Sequence, residues 1–210
     1  MPAVLLVHGL YVNGWDMRLL GQRLNEAGFS THYFSYPSMR NTPMENAAGL
    51  NAFIKELNLD AVHLVGHSLG GLVIRYLFAT YPAQPPGRVV TLGSPHNGSS
   101  AARSLERLGL RGLLLGKSAE RGLLDTTPPW TDARDHGVIA GQLRLGLGCL
   151  LPGIPSPSDG TVTVAETKLE GITAHVTVNT SHFGLLLSPL VARETVRFLQ
   201  HGCFETATTH

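Results

Sequence analysis

A serine at the centre of Gly66-His67-Ser68-Leu69-Gly70 has neighbours that suit nucleophilic chemistry. The five residues match G-x-S-x-G, a pattern in which a strand ends, turns sharply and becomes a helix. Holding a serine hydroxyl at the tip of so tight a turn demands strained backbone angles. Side chains two residues to either side would strike the adjoining strand and helix, so glycine stands in both places. The helix that follows aims its free N–H groups and positive dipole end at the same point. Alone the pattern is weak, because 24 of the 210 residues are glycine and chance matches are frequent. At such a junction serine is also a common helix N-cap.

A hydroxyl of ordinary pKa becomes a nucleophile when a base takes its proton and a third group orients the base. Of the ten histidines, His8 and His67 belong to sharp turns, His175 begins a strand, and His201 and His210 lie near the end of the chain. His182 follows the last strand, in the loop before the last helix, where it can swing over Ser68. For the acid, Asp159 competes with Asp125, Asp132 and Asp135. An Asp-Gly pair such as Asp159-Gly160 is most often only a turn. Its position before His182 favours it over the other three.

The elements that must position these residues alternate. Val4 to Val7 is an apolar run of the kind buried on both faces of a parallel sheet. Trp15 to Ala27 carries a helical period closed by Gly28. Thr31 to Tyr36, rich in aromatic and β-branched residues, stops at Pro37 and reads as a second strand. A helix over Met44 to Leu57, a strand over Val62 to Val65, a helix over Leu69 to Tyr81 and a strand over Val89 to Leu92 follow. Val138 to Ala140 is a candidate fifth strand, His175 to Val178 the sixth, and Pro189 to His201 a terminal amphipathic helix. This alternation predicts an α/β fold, a doubly wound, mainly parallel sheet of about six strands flanked by helices. Ligands in such sheets bind beyond the C-terminal ends of the strands, which puts His8, Ser68, Ser94, Asp159 and His182 on one rim.

Composition narrows the rest. The chain is 43% hydrophobic and 15% charged, with a formal net charge of +1. It lacks the basic excess that a nucleic-acid binder needs. The histidines show no metal-ligand spacing, and Cys149 and Cys203 form no zinc or redox motif, so two unpaired thiols are expected. No stretch approaches the ~18 apolar residues of a membrane span, and the first residues lack a positively charged leader region. A cytoplasmic protein with no integral membrane association is expected, as one domain over residues 1–210. The oligomeric state is open.

The order Ser68, Asp159, His182 is similar to that of the α/β-hydrolase superfamily, with bacterial lipases and esterases the nearest match. Three further stretches carry the resemblance. His8-Gly9-Leu10 resembles the lipase oxyanion loop, and Gly93-Ser94-Pro95-His96-Asn97-Gly98-Ser99 resembles the G-S-P-H-x-G-S segment. Ser158-Asp159-Gly160-Thr161-Val162 is similar to the D-G-x-V acid loop. The resemblance implies a minimal α/β-hydrolase fold whose two usual leading strands look absent. It implies a Ser-His-Asp triad, an oxyanion hole from the amides of Leu10 and Leu69, and a pocket touching Tyr11, His67 and Leu113. The expected substrate is a small-molecule or lipid ester, cleaved without cofactor or metal; no acidic cluster near Asp159 or His182 would supply the calcium site of some related lipases. Thioesterase, phospholipase and acyltransferase activity, or a noncatalytic ligand-binding role, stay open. The worst-matching part, a short cap-like or loop insertion at residues 99–135, has leucines broken by Gly109, Gly112 and Gly116, so a shallow, partly open site is expected.

Overall fold

The computed structural model describes residues 1–11, 15–120, 122–124, 127–145 and 153–205. Asp125 and Cys149, singled out above, lie outside the described residues. Six strands form one parallel sheet: β1 (Ala3–Val7), β2 (Ser30–Phe34), β3 (Val62–His67), β4 (Val89–Leu92), β5 (His136–Gly141) and β6 (Ala174–Val178). Their order across the sheet is β2-β1-β3-β4-β5-β6.

Strand residues alternate between two apolar layers, as period-two side chains must. Leu5, Val7, Val62 and Leu64 face α2 (Pro43–Leu57) and α3 (Leu69–Thr80). Val4, Leu6, Val65, Val90 and Leu92 face α1 (Arg18–Glu26) and α8 (Pro189–His201). Because both faces are covered, the central strands read as unbroken apolar runs.

Several helix ends follow from local chemistry. Thr42 caps α2 and the Glu45 carboxylate accepts the Thr42 amide at 2.7 Å, closing a capping box ahead of Pro43. Ser188 caps α8, and Gly202 ends it in the left-handed conformation. Every residue of α3 from Leu69 to Phe78 is buried, which makes it the central helix.

Some boundaries differ from the periodicity. The expected helix from Trp15 begins as a 3₁₀ turn, Trp15–Met17, and becomes α-helical only at Arg18. The fifth strand is longer than its apolar core because His136 and Gly137 join it, with their side-chain positions buried. Residues 100–119 fold as α4 (Ser100–Arg107), α5 (Arg111–Leu114) and a 3₁₀ turn, Gly116–Ala119. Two one-turn helices, α6 (Val164–Thr167) and α7 (Gly184–Leu187), are too short to leave a period in the sequence.

Candidate active site

The chain starts mid-sheet, winds outward to β2, then returns past β1 and proceeds the other way through β3. The loops after β1 and β3 therefore leave the sheet side by side, at the point where strand order reverses. A Cβ built on Gly9, in the first loop, would lie 3.1 Å from the Ser68 Cβ. Topology alone brings His8-Gly9-Leu10 against the serine.

Ser68 has φ 53° and ψ −119°, a region that costs a non-glycine residue about 1–3 kcal/mol. Surrounding bonds hold it there: its amide donates to Leu92 O at 2.9 Å, and its carbonyl accepts from Gly71 N at 3.1 Å. The flanking glycines are required by close approach. A Cβ on Gly66 would sit 2.8 Å from Gly71 N, and one on Gly70 would strike the Val7 carbonyl and lie 2.7 Å from that of His8.

His182 and Asp159 form a buried pair. The His182 Nδ1–H donates to Asp159 Oδ2 at 2.7 Å, and the carboxylate is fully buried. Asp159 Oδ1 accepts the amides of Thr161 at 2.9 Å and Val162 at 2.7 Å, so both oxygens are engaged. Its carbonyl also accepts the His182 amide at 3.0 Å, fixing one loop to the other. With the proton on Nδ1, a neutral His182 carries its lone pair on Nε2. Of the other candidate acids, Asp132 pairs with Arg134 and Asp135 with Arg88, each at 2.8 Å, and Asp125 lies outside the described residues.

His67, buried beside Ser68, supports this loop. Its Nε2 lies 3.1 Å from the His182 carbonyl oxygen, which can only accept, so Nε2 carries the proton. The two rings are 4.7 Å apart. Burial, aided by the neighbouring His182, holds His67 well below the usual histidine range and keeps it neutral.

Ser68, Leu69, His67, His182, Leu10 and Tyr11 all line one cavity of about 460 Å³. Its remaining wall is mostly apolar, from Ala101, Ala102 and Leu105 of α4, Leu110, Leu114 and Leu115 around α5, and Val162 and Phe183, with Ser99 and Thr161 as uncharged polar members. No Asp, Glu, Lys or Arg contributes to it. Leu113, expected in the pocket, is not in this wall. It is 73% exposed, because the short α5 turns Leu110 and Leu114 inward and Leu113 out.

Other residues shape the site without an obvious sequence signal. His8 donates from Nδ1 to Gly9 O at 2.8 Å and accepts the Tyr36 amide on Nε2 at 3.2 Å. Tyr36 stacks on that ring at 4.2 Å and donates its hydroxyl to the His8 carbonyl at 2.7 Å. The loop after β1 is thus clamped by Tyr36, two residues beyond the end of β2, a contact visible only once strand order is known. Gly93 leaves room for the His182–Asp159 pair: a Cβ there would lie 3.0 Å from Asp159 Oδ2 and 3.2 Å from His182 Nδ1. Glu166 accepts the Ser100 amide at 2.5 Å, tying the start of α4 to the segment after the acid loop. Below, buried Arg75 donates to the carbonyls of His96, at 2.7 Å, and Pro128. Among the described residues no group of three or more His, Cys, Asp or Glu could hold a metal ion, and no helix is long and apolar enough to cross a membrane.

Residues 4–197 match the family model described as Alpha/beta hydrolase family. Bacillus licheniformis lipase BlEst2 in mature form superposes with a TM-score of 0.71 at 22% identity, over 88% of this chain and 86% of that one. Phospholipase PlaB from Legionella pneumophila gives 0.73 at 17% identity, over 95% of this chain and 60% of that one. The metagenomic carboxyl esterase MGS0156 gives 0.66 at 18% identity, over 86% and 64%. At such identities the likeness is one of fold. No curated protein matches the sequence.

Proposed function

Since the chain belongs to the alpha/beta hydrolase family, we propose that it is a serine hydrolase cleaving carboxylic esters of short to medium acyl chains through an acyl-enzyme. The observation that carries this reading is the buried His182–Asp159 pair beside a backbone-strained Ser68, opening on one apolar cavity.

In this mechanism Ser68 Oγ attacks the ester carbonyl carbon as its proton passes to His182 Nε2. The oxyanion of the tetrahedral intermediate is met by the amides of Leu10 and Leu69, the latter the first residue of α3 and aided by its dipole. Collapse expels the alcohol, which takes the proton from His182, and leaves the acyl group on Ser68. Water then attacks the acyl carbon as its proton passes to Nε2; the second tetrahedral intermediate breaks its bond to Ser68 Oγ, which takes that proton back from His182, and the carboxylic acid leaves. Asp159 keeps the Nδ1 proton in place and stabilises the imidazolium. The cycle needs no cofactor. A wall without charges suits an uncharged acyl chain, each buried methylene contributing about 0.8 kcal/mol.

A noncatalytic ligand-binding role would leave the strain at Ser68 without a use. Thioesters and phospholipids share this chemistry, and PlaB is itself a phospholipase.

The test is hydrolysis of p-nitrophenyl esters from acetate to palmitate, with kcat/KM expected to peak between butyrate and octanoate and no jump above the solubility limit. A fluorophosphonate probe should label wild-type protein at Ser68. Ser68→Ala should lose both labelling and turnover, the latter by about 10⁴- to 10⁶-fold. Labelling of the variant on another serine would refute the assignment, and a sharp rise on emulsified long-chain triglyceride would refute the chain-length reading.

A further inference from the structure

Tyr11 joins two parts of the cavity wall that lie 103 residues apart in sequence. Its backbone is left-handed, with φ 67°, a conformation uncommon for a bulky residue. It directly follows Leu10, and its side-chain hydroxyl donates to the Leu114 carbonyl. Leu114 is the last residue of α5.

A four-residue helix has almost no cooperativity of its own, and none of the residues of α5 is buried. Its last carbonyls lack partners within the helix, and Tyr11 supplies one. On the outer side Arg111 pairs with Glu106 at 3.3 Å and Glu120 at 3.9 Å, all with side chains 43% exposed or more, so these pairs hold the helix weakly. The chain on either side is better fixed. Ser99 and Glu166 hold the start of α4, while Leu115 is buried and the Lys117 amide donates to Met39 O at 2.9 Å. Residues 111–114 thus form a flap between anchored ends, with Leu114 facing the cavity and Leu113 facing out.

We propose that Tyr11 is a specificity-determining tether, whose hydroxyl holds this flap over the acyl end of the cavity. Esters whose chains fit beneath the closed flap react without moving it. Longer chains must break the Tyr11–Leu114 bond to be accommodated. This rests on the reading that the cavity takes an acyl chain.

The test is Tyr11→Phe, which keeps the ring and removes the hydroxyl at a half-exposed position where folding is not at stake. The net worth of one hydrogen bond corresponds to about a 2- to 12-fold change in the equilibrium of flap opening. The ratio of kcat/KM for p-nitrophenyl dodecanoate over butyrate should rise by that factor. Hydrogen exchange at the Leu114 and Leu115 amides should accelerate to match. Leu113→Ser, in the same flap but facing solvent, should leave the ratio where it is. An unchanged ratio with unchanged exchange would overturn the tether. So would an equal loss of kcat at every chain length with unchanged exchange, which would instead place Tyr11 with the oxyanion donors. If the wild type cleaves no ester and takes no fluorophosphonate, the hydrolase reading and the chain-length role fail together, while exchange in α5 still decides whether the tether exists.

Discussion

Replacing Asp159 by asparagine removes one charge and little volume, and the structure dictates which way the new amide must face. The Oδ1 position accepts two backbone amides, from Thr161 and Val162. An NH₂ group placed there would meet two donors, so the asparagine oxygen has to occupy it. The NH₂ then faces His182 Nδ1, where the carboxylate oxygen had accepted a proton at 2.7 Å. His182 can satisfy that donor only as the tautomer with its proton on Nε2, which cannot take the Ser68 proton. Loss of the correct tautomer and of the charge facing the imidazolium should lower kcat by about 10⁴-fold, or about 5 kcal/mol of transition-state stabilisation. The assay is kcat on p-nitrophenyl butyrate near neutral pH, with circular dichroism to verify the fold. Asp132→Asn and Asp135→Asn loosen only the ion pairs with Arg134 and Arg88 and should change kcat little. The reasoning is refuted if Asp159→Asn keeps more than about a tenth of wild-type kcat, or if Asp125→Asn collapses activity instead.

Three further outcomes are expected. Gly70→Ala drives a methyl group into the Val7 and His8 carbonyls, so chemical denaturation should show a loss of about 1–3 kcal/mol, and turnover should fall as the Leu10 loop shifts. Arg75→Met removes the donor to the part-buried Pro128 carbonyl and one of the two donors to the His96 carbonyl, which keeps the Thr127 hydroxyl at 3.1 Å, with a cost of about 1–3 kcal/mol for the one group left unsatisfied; a loss below the lower figure would mean another donor replaces it. Burial, then the nearby Arg75, lowers the His136 pKa to about 3, so below pH ~6.5 the unfolded chain binds a proton that the folded chain refuses. That share of stability is complete above pH ~6.5 and is lost on acidification towards pH ~3, amounting to about 2 kcal/mol between pH 7 and 5. Denaturant midpoints of wild type and His136→Gln at both pH values test this, and an equal acid loss in the two proteins would contradict it.

Much of the fold is legible in the sequence because each signal is local. Val4–Val7 announces a strand by continuous apolarity, and Gly66 announces the turn because contacts within a few residues exclude a side chain, whereas at Gly70 the side chain is excluded by the Val7 and His8 carbonyls of the neighbouring strand and its loop. The nearness of Ser68 and His182 is legible too, since they follow β3 and β6, which end on the same rim, and Asp159, well beyond the end of β5, meets His182 there. What escaped depends on contacts between distant segments. Tyr36 clamping His8, Gly93 making room for the His182–Asp159 pair and Glu166 bonding Ser100 all require the strand order and loop paths. Leu113 was misplaced for another reason. A leucine run gives no phase when the helix is one turn long, and here Leu110 and Leu114, four residues apart, face inward.

The backbone itself shows where this chain accepts local cost. Among the described residues the non-glycine positions with positive φ are Tyr11, Asn58 and Ser68. Asn58 is the left-handed cap that ends α2, a place where asparagine is at ease. Ser68 and Tyr11 have no such excuse, and both line the same cavity. Strain of this kind persists only where surrounding contacts over-determine the conformation. At Ser68 those contacts are the Leu92 and Gly71 bonds and the glycine contacts on either side. At Tyr11 the contact that reaches across the cavity is the hydroxyl bond to Leu114. The serine turn is therefore locked from within the sheet, whereas the Tyr11 turn is coupled across the cavity to α5, a one-turn helix with no buried residue. Relaxing the first disturbs contacts with β1, β3 and β4 together. Relaxing the second requires breaking one hydrogen bond, so adaptation of this site to different acyl chains belongs on the Tyr11 side of the cavity.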